Sequence, residues 1–187
     1  MKANVDYFIV HIEEVFGTDY KIHKFNAKDE GKPIYLFIFR GIPEVGMITF
    51  ITFGLSEGQH PEWISGKPEL ILSLETNDET WGHSIAWLAA ELRGIKPFSY
   101  GDKFTFGEPI CEGTSMIGYF VFSPSILDKD IKKIETTNLP IFLTGMYPIY
   151  KEEVELINEI GLKEFWFSNG FDLYNPKRVN ITLNANS

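Results

Sequence analysis

The chain has 187 residues, enough for one self-sufficient core, and its 26 acidic against 17 basic residues give a net charge of −9. That balance argues against a nucleic-acid binder, which needs a basic face to neutralise phosphates, and against docking on an anionic membrane, while it permits a basic protein partner. The single cysteine, Cys111, excludes an internal disulfide, and no apolar run has the length of a membrane span or the pattern of a secretory signal, so the expected compartment is the cytoplasm.

In Asn4 to Phe16, Tyr7, Val10, Ile12 and Val15 fall close to helical spacing, and Gly17 is placed to stop the helix that this predicts. Tyr20 to Phe25 alternates as a half-buried strand does. Pro33 to Arg40 is a second strand, too continuously apolar to be solvated on one face, and Val45 to Phe53 is a third. The short, turn-rich link between these two suits an antiparallel meander. Pro68 to Glu75 is a fourth strand, with Leu70, Leu72 and Leu74 on one face.

Thr76-Asn77-Asp78-Glu79 reads as a capping box, in which the Thr76 hydroxyl and the Glu79 carboxylate each satisfy a free amide at a helix start. Trp81, Ile85, Leu88, Ala89 and Leu92 then form one stripe of a long amphipathic helix over about residues 77–94, ended by Gly94 and Pro97. Ser115 to Phe122 and Leu139 to Met146 read as strands, and Tyr147-Pro148 is expected to stop the second of them. Tyr150 to Ile160 reads as a helix with Val154, Ile157 and Ile160 on its apolar face and Gly161 at its end; residues 162–187 mix aromatics with a polar tail and support no firm assignment. There is no repeat and no linker, so residues 1–187 are read as one domain. The fold class is α+β: a largely antiparallel sheet packed by the long helix, with further helices at the termini.

The chemistry-bearing residues do not converge in the sequence. No glycine-rich phosphate loop or dinucleotide fingerprint is present. Glu79 and His83, four apart on a helix, could face one ion, but the cap claims Glu79. His60-Pro61-Glu62 lies in a turn-rich loop, and His11 and His23 stand isolated. Cys111 sits in an apolar run beside Glu112, which would not help form a thiolate. Glu13-Glu14 and Glu152-Glu153 are adjacent on helices, so they point apart and read as solvated acidic faces. No catalytic residue, metal or cofactor is therefore expected.

Three segments taken together resemble the Suppressor of fused domain family. The first is Ile51-Thr52-Phe53-Gly54-Leu55-Ser56 followed by Pro68-Glu69-Leu70-Ile71-Leu72. The second comprises Tyr100-Gly101-Asp102, Gly107-Glu108-Pro109-Ile110 and Thr114 through Phe122. The third is Leu139-Pro140-Ile141 with Tyr147-Pro148-Ile149-Tyr150-Lys151-Glu152-Glu153, closing on Gly161, so that the likeness covers about residues 37–161.

The resemblance implies no catalytic activity. It implies a protein-binding role: the animal member holds a transcription factor, with the ligand peptide lying as an added strand between two domains, and short bacterial members resemble immunity proteins that neutralise toxins. The expectation for this chain is an immunity protein binding another protein, a toxin, with a basic toxin suited to its charge. The alternatives are a regulator or scaffold with another partner, or a hydrolase or metal enzyme using His60, His83 or Cys111. A retained peptide site is expected at Phe50, Glu57, His60 and Glu62, where a strand ends and an acidic loop follows; otherwise Phe50 is core and the two glutamates are solvated.

Overall fold

The computed structural model describes residues 3–186. Helix α1 (Asn4–Phe16) leads into four strands, β1 (Lys21–Phe25), β2 (Ile34–Arg40), β3 (Ile48–Phe53) and β4 (Lys67–Leu74). Then come α2 (Thr80–Leu92), β5 (Lys103–Thr105), β6 (Gly118–Phe122), β7 (Lys133–Ile134), β8 (Ile141–Ile149), α3 (Lys151–Ile160) and α4 (Leu162–Trp166). Two 3-10 turns, Leu55–Glu57 and Ile181–Asn186, complete the described elements.

The strands form one sheet in the order β1-β2-β3-β4-β8-β6-β5, with β7 paired to β8. Every pairing is antiparallel except β4 with β8, where Lys67 to Ile71 run alongside Ile141 to Gly145. The antiparallel pairing expected of β2 with β3 is present and extends to a meander of the first four strands, and the class is α+β.

Both faces of the sheet are covered, which is why β2, β3 and β4 have no polar face. On one face Leu36, Ile38, Phe50, Leu70 and Leu72 meet Trp81, Ile85, Ala86 and Ala89 of α2. A side chain at position 82 would hold the helix off: a Cβ there would lie 2.1 Å from the Phe50 ring, so Gly82 is what lets α2 sit directly on β3. On the other face Phe37, Phe39, Ile51 and Phe53 meet α1. Farther along that face, Phe120, Tyr147 and Ile149 meet Ile157 and Phe165.

Several local expectations are corrected. The stripe of α1 that is buried is Phe8-Ile12-Phe16, while Val10 is 47% exposed. Phe8 wins that position because its ring packs at 4.8 Å from Phe53 and 5.6 Å from Phe37. Helix α2 starts at Thr80, and the capping box does not form. Thr76 Oγ1 instead accepts from the Asp78 amide, and Asp78 Oδ1 accepts from the Thr80 amide, while the Glu79 carboxylate binds Arg40 and Lys21.

Strand β8 runs through Tyr147-Pro148 to Ile149. Pro148 is tolerated because the pairing with β4 has ended at Gly145, so its missing N–H faces no strand, and its carbonyl accepts from Arg178. In α3, Ile157 is buried but Ile160 is 37% exposed: past Gly161 the chain turns, and Phe165 of α4 covers the core instead. Glu153 is not solvated either. It is fully buried, and its carboxylate receives both guanidinium arms of Arg178 and the amides of Tyr150 and Ile181. This pair fastens the unassigned tail against the end of β8.

Candidate functional site

The segment after β3 is held from below by a buried carboxylate. The β3–β4 ladder ends at Ile51 with Ile71, and beyond it the Thr52 hydroxyl takes over, accepting from the Leu70 amide and donating to Glu69. Glu69 also receives the amides of Gly54 and Ser56 and the Ser56 hydroxyl, at 2.7–2.9 Å. Burial pushes the Glu69 carboxyl above its ordinary range, and these hydrogen bonds draw it part of the way back. Gly54 is required at the turn: its φ is +124°, and a Cβ would lie 2.6 Å from the Pro33 carbonyl.

From the α2 side, the buried Arg93 side chain donates to the carbonyls of Gly54 and Lys32 and pairs with Asp29, which holds that carboxyl below its usual range. The 3-10 turn Leu55–Glu57 therefore has a fixed base.

On that base Glu57 is carried to the rim of an apolar groove of about 620 Å3. Val5 and Ile9 of α1 form one wall, Ile22 of β1 the other, and Tyr35, Phe37 and Phe53 the floor. Glu57 accepts from Lys32 at 2.6 Å and from Asn4 at 3.4 Å, bridging the groove's end. Ile22 is 46% exposed. β1 is the first strand of the sheet order and, among the described residues, pairs with β2 alone, so an extended chain has an edge to pair with beside this groove.

The other nominated residues do not join Glu57. Phe50 is fully buried under α2, so its ring is part of the core and cannot be reached by a partner. His60 and Glu62 lie in the next loop, where His60 Nδ1 accepts from the Glu62 amide and the His60 ring packs on Trp63, whose indole donates to the Pro97 carbonyl.

Cys111 lines a separate depression of about 630 Å3 with Glu44, Glu75, Asp78 and Glu112 around it and Lys177 facing them. Burial and the Asp78 carboxylate push the Cys111 thiol up to about 11, so it is protonated at neutral pH and a poor nucleophile. His83 lies against His23 from β1, a neighbour that sequence spacing could not supply across 60 residues. The signals missed in the sequence were the groove, which draws on residues from 3 to 138, and the two carboxylate clamps.

With this arrangement established, the comparisons decide the family. The family model described as Suppressor of fused protein (SUFU) matches residues 30–179 of the 187. The chain belongs to the Suppressor of fused family. The match starts a few residues before the sequence resemblance, at the end of the β1–β2 link, and runs past Gly161 through Asp172 and Asn175-Pro176-Lys177-Arg178, the continuation that the resemblance also suggests. No curated protein matches it in sequence.

The fold is shared with solved structures of low identity. A putative SUFU homologue from Neisseria gonorrhoeae is 17% identical, with a TM-score of 0.70 and 94% of each chain covered. A chain of the Sufu-Fu complex is 11% identical, with a TM-score of 0.71, covering 95% of this chain and 92% of that one. Drosophila Suppressor of Fused is 14% identical with a TM-score of 0.66; 96% of this chain is covered, but only 51% of the Drosophila chain, so the present chain spans about half its length. Among the described residues, no helix is long and apolar enough to cross a membrane.

Proposed function

We propose that this chain is a non-catalytic protein-binding domain, acting in the cytoplasm as an immunity protein that binds and neutralises a toxin. The observation that carries the binding reading is the open apolar groove beside the edge strand β1. A surface of this kind can hold an extended segment by main-chain pairing, with apolar side chains in the groove and Glu57 at its end. A structural relative solved as the Sufu-Fu complex supports the use of this fold for a protein partner. The toxin assignment is supported by the likeness to short bacterial members and by charge: −9 overall, with four carboxylates around the Cys111 depression, is a field that speeds encounter with a basic partner.

The test is capture of the tagged protein's partners from the cells that produce it, with a salt wash and mass spectrometry. A single stoichiometric partner with toxin activity, relieved when the two are mixed, is the expected outcome. A stoichiometric partner without toxicity replaces the immunity role with a regulatory one. No retained partner contradicts the binding reading.

A further inference from the structure

Of the chain's four histidines, two meet their partners on the backbone: His11 Nε2 lies 2.6 Å from the Ile131 carbonyl, and His60 accepts from the Glu62 amide. The other two meet each other. β1 brings His23 under the start of α2, where its Nδ1 lies 2.8 Å from Nε2 of His83. Glu79, one helical turn before His83, completes the group; its Oε2 lies 3.8 Å from Nε2 of His23, the ring nitrogen that does not face His83. One ligand atom from each of the three residues lies within 4.8 Å of the other two, and all three side chains are only partly exposed. From this geometry we propose that His23, Glu79 and His83 form a binding site for a divalent ion of the zinc class, clipping the edge strand β1 to α2.

Two imidazoles and one carboxylate are a donor set that zinc takes readily, leaving a fourth position to solvent. Zinc–nitrogen distances of about 2.0–2.1 Å set two imidazole nitrogens on one ion roughly 3.3 Å apart, so the pair has to open only slightly. In the absence of an ion, the short nitrogen–nitrogen contact shares a proton. An ion takes both lone pairs, and the proton moves to the far nitrogen of its own ring.

The surroundings of His83 favour its neutral ring. Burial lowers the basicity of His83, with the His23 charge acting in the same direction, so this ring offers a lone pair at neutral pH. The charged groups facing the site are Lys21 of β1, Arg40 of β2, and Asp78 and Glu79 at the start of α2. Lys21 and Arg40 orient the Glu79 carboxylate and share its charge, which makes Glu79 the weakest of the three ligands.

The test is calorimetric titration of the metal-free full chain with zinc chloride, followed by the absorption spectrum of the cobalt(II) form. The expected result is one equivalent bound and tetrahedral cobalt bands. His23→Ala and His83→Ala should each weaken binding by more than about 100-fold, the upper end of what losing a supporting contact costs, and Glu79→Gln by about 10-fold. Circular dichroism of the metal-free variants establishes that they are folded; should either alanine variant fail, His83→Gln takes its place, keeping the ring's hydrogen-bonding reach without its basicity. No binding by the wild type, or equal binding by the folded variants, overturns the site and leaves a hydrogen-bonded histidine pair.

Discussion

Among the described residues two glutamates are fully buried, and the fold answers each burial differently. Glu69, near the start of β4, is surrounded by neutral donors that all come from the short stretch Thr52 to Ser56. Glu153, just past the end of β8, is paired with the guanidinium of Arg178, 25 residues later. The first arrangement shapes a turn with groups already close in the chain. The second uses a full opposite charge to bring a distant tail onto the core, with Tyr150 and Phe171 rings flanking the guanidinium. Neutral donors are therefore enough where the task is local, whereas a long closure is made by an ion pair whose two halves are useless apart.

Breaking the ion pair gives the largest expected effect. Arg178→Met leaves the Glu153 carboxylate buried without its counter-charge and should cost about 3–5 kcal/mol in urea unfolding. Adding Glu153→Gln to that variant should recover part of the loss, because the stranded charge is then gone.

The neutral clamp should respond less. Glu69→Gln keeps the shape but sets an amide N–H2 against a ring of donors, and should cost about 1–3 kcal/mol. This gap depends on pH. Burial raises the Glu69 carboxyl in the folded state, so the folded chain keeps a proton that the unfolded chain has already released. The stability this contributes is complete below the ordinary carboxylate range and is lost as pH rises through the raised value, so the advantage of wild type over Glu69→Gln should narrow as pH increases. Urea midpoints of the two proteins across a pH series measure this directly, and a gap that widens contradicts the assignment.

The third glutamate of the region, Glu57, gives the smallest effect. Its partner Lys32 is 75% exposed, and Lys32→Ala should change stability by less than about 1 kcal/mol.

The same contrast between local and distant partners decides what the sequence made legible. The helices Asn4–Phe16 and Lys151–Ile160, the four-strand meander and the Trp81-Ile85-Leu88-Ala89 stripe follow from periodicity and terminating glycines, which are short-range signals. The capping box failed because Arg40, 39 residues away, competes for Glu79. Glu152-Glu153 looked like a solvated face because adjacency says only that the two point apart; which of them is buried depends on Arg178 arriving from the tail. Phe50 was nominated as a contact because it precedes an acidic loop, but a strand covered by helices on both faces has no exposed position at its centre. Glu57 was reached by the sequence, and the groove it borders was not, since that groove exists only once α1 lies across β1 and β2.

The binding account is tested most directly by repeating the partner capture with wild type and Ile22→Asp side by side. Ile22 is half exposed on the groove wall, so the variant should fold, as circular dichroism can establish. The account predicts that the wild type retains one stoichiometric partner and that the folded variant retains it at least about tenfold more weakly, as loss of an apolar anchor requires. Equal retention by the two proteins would contradict the groove as the place where this domain acts.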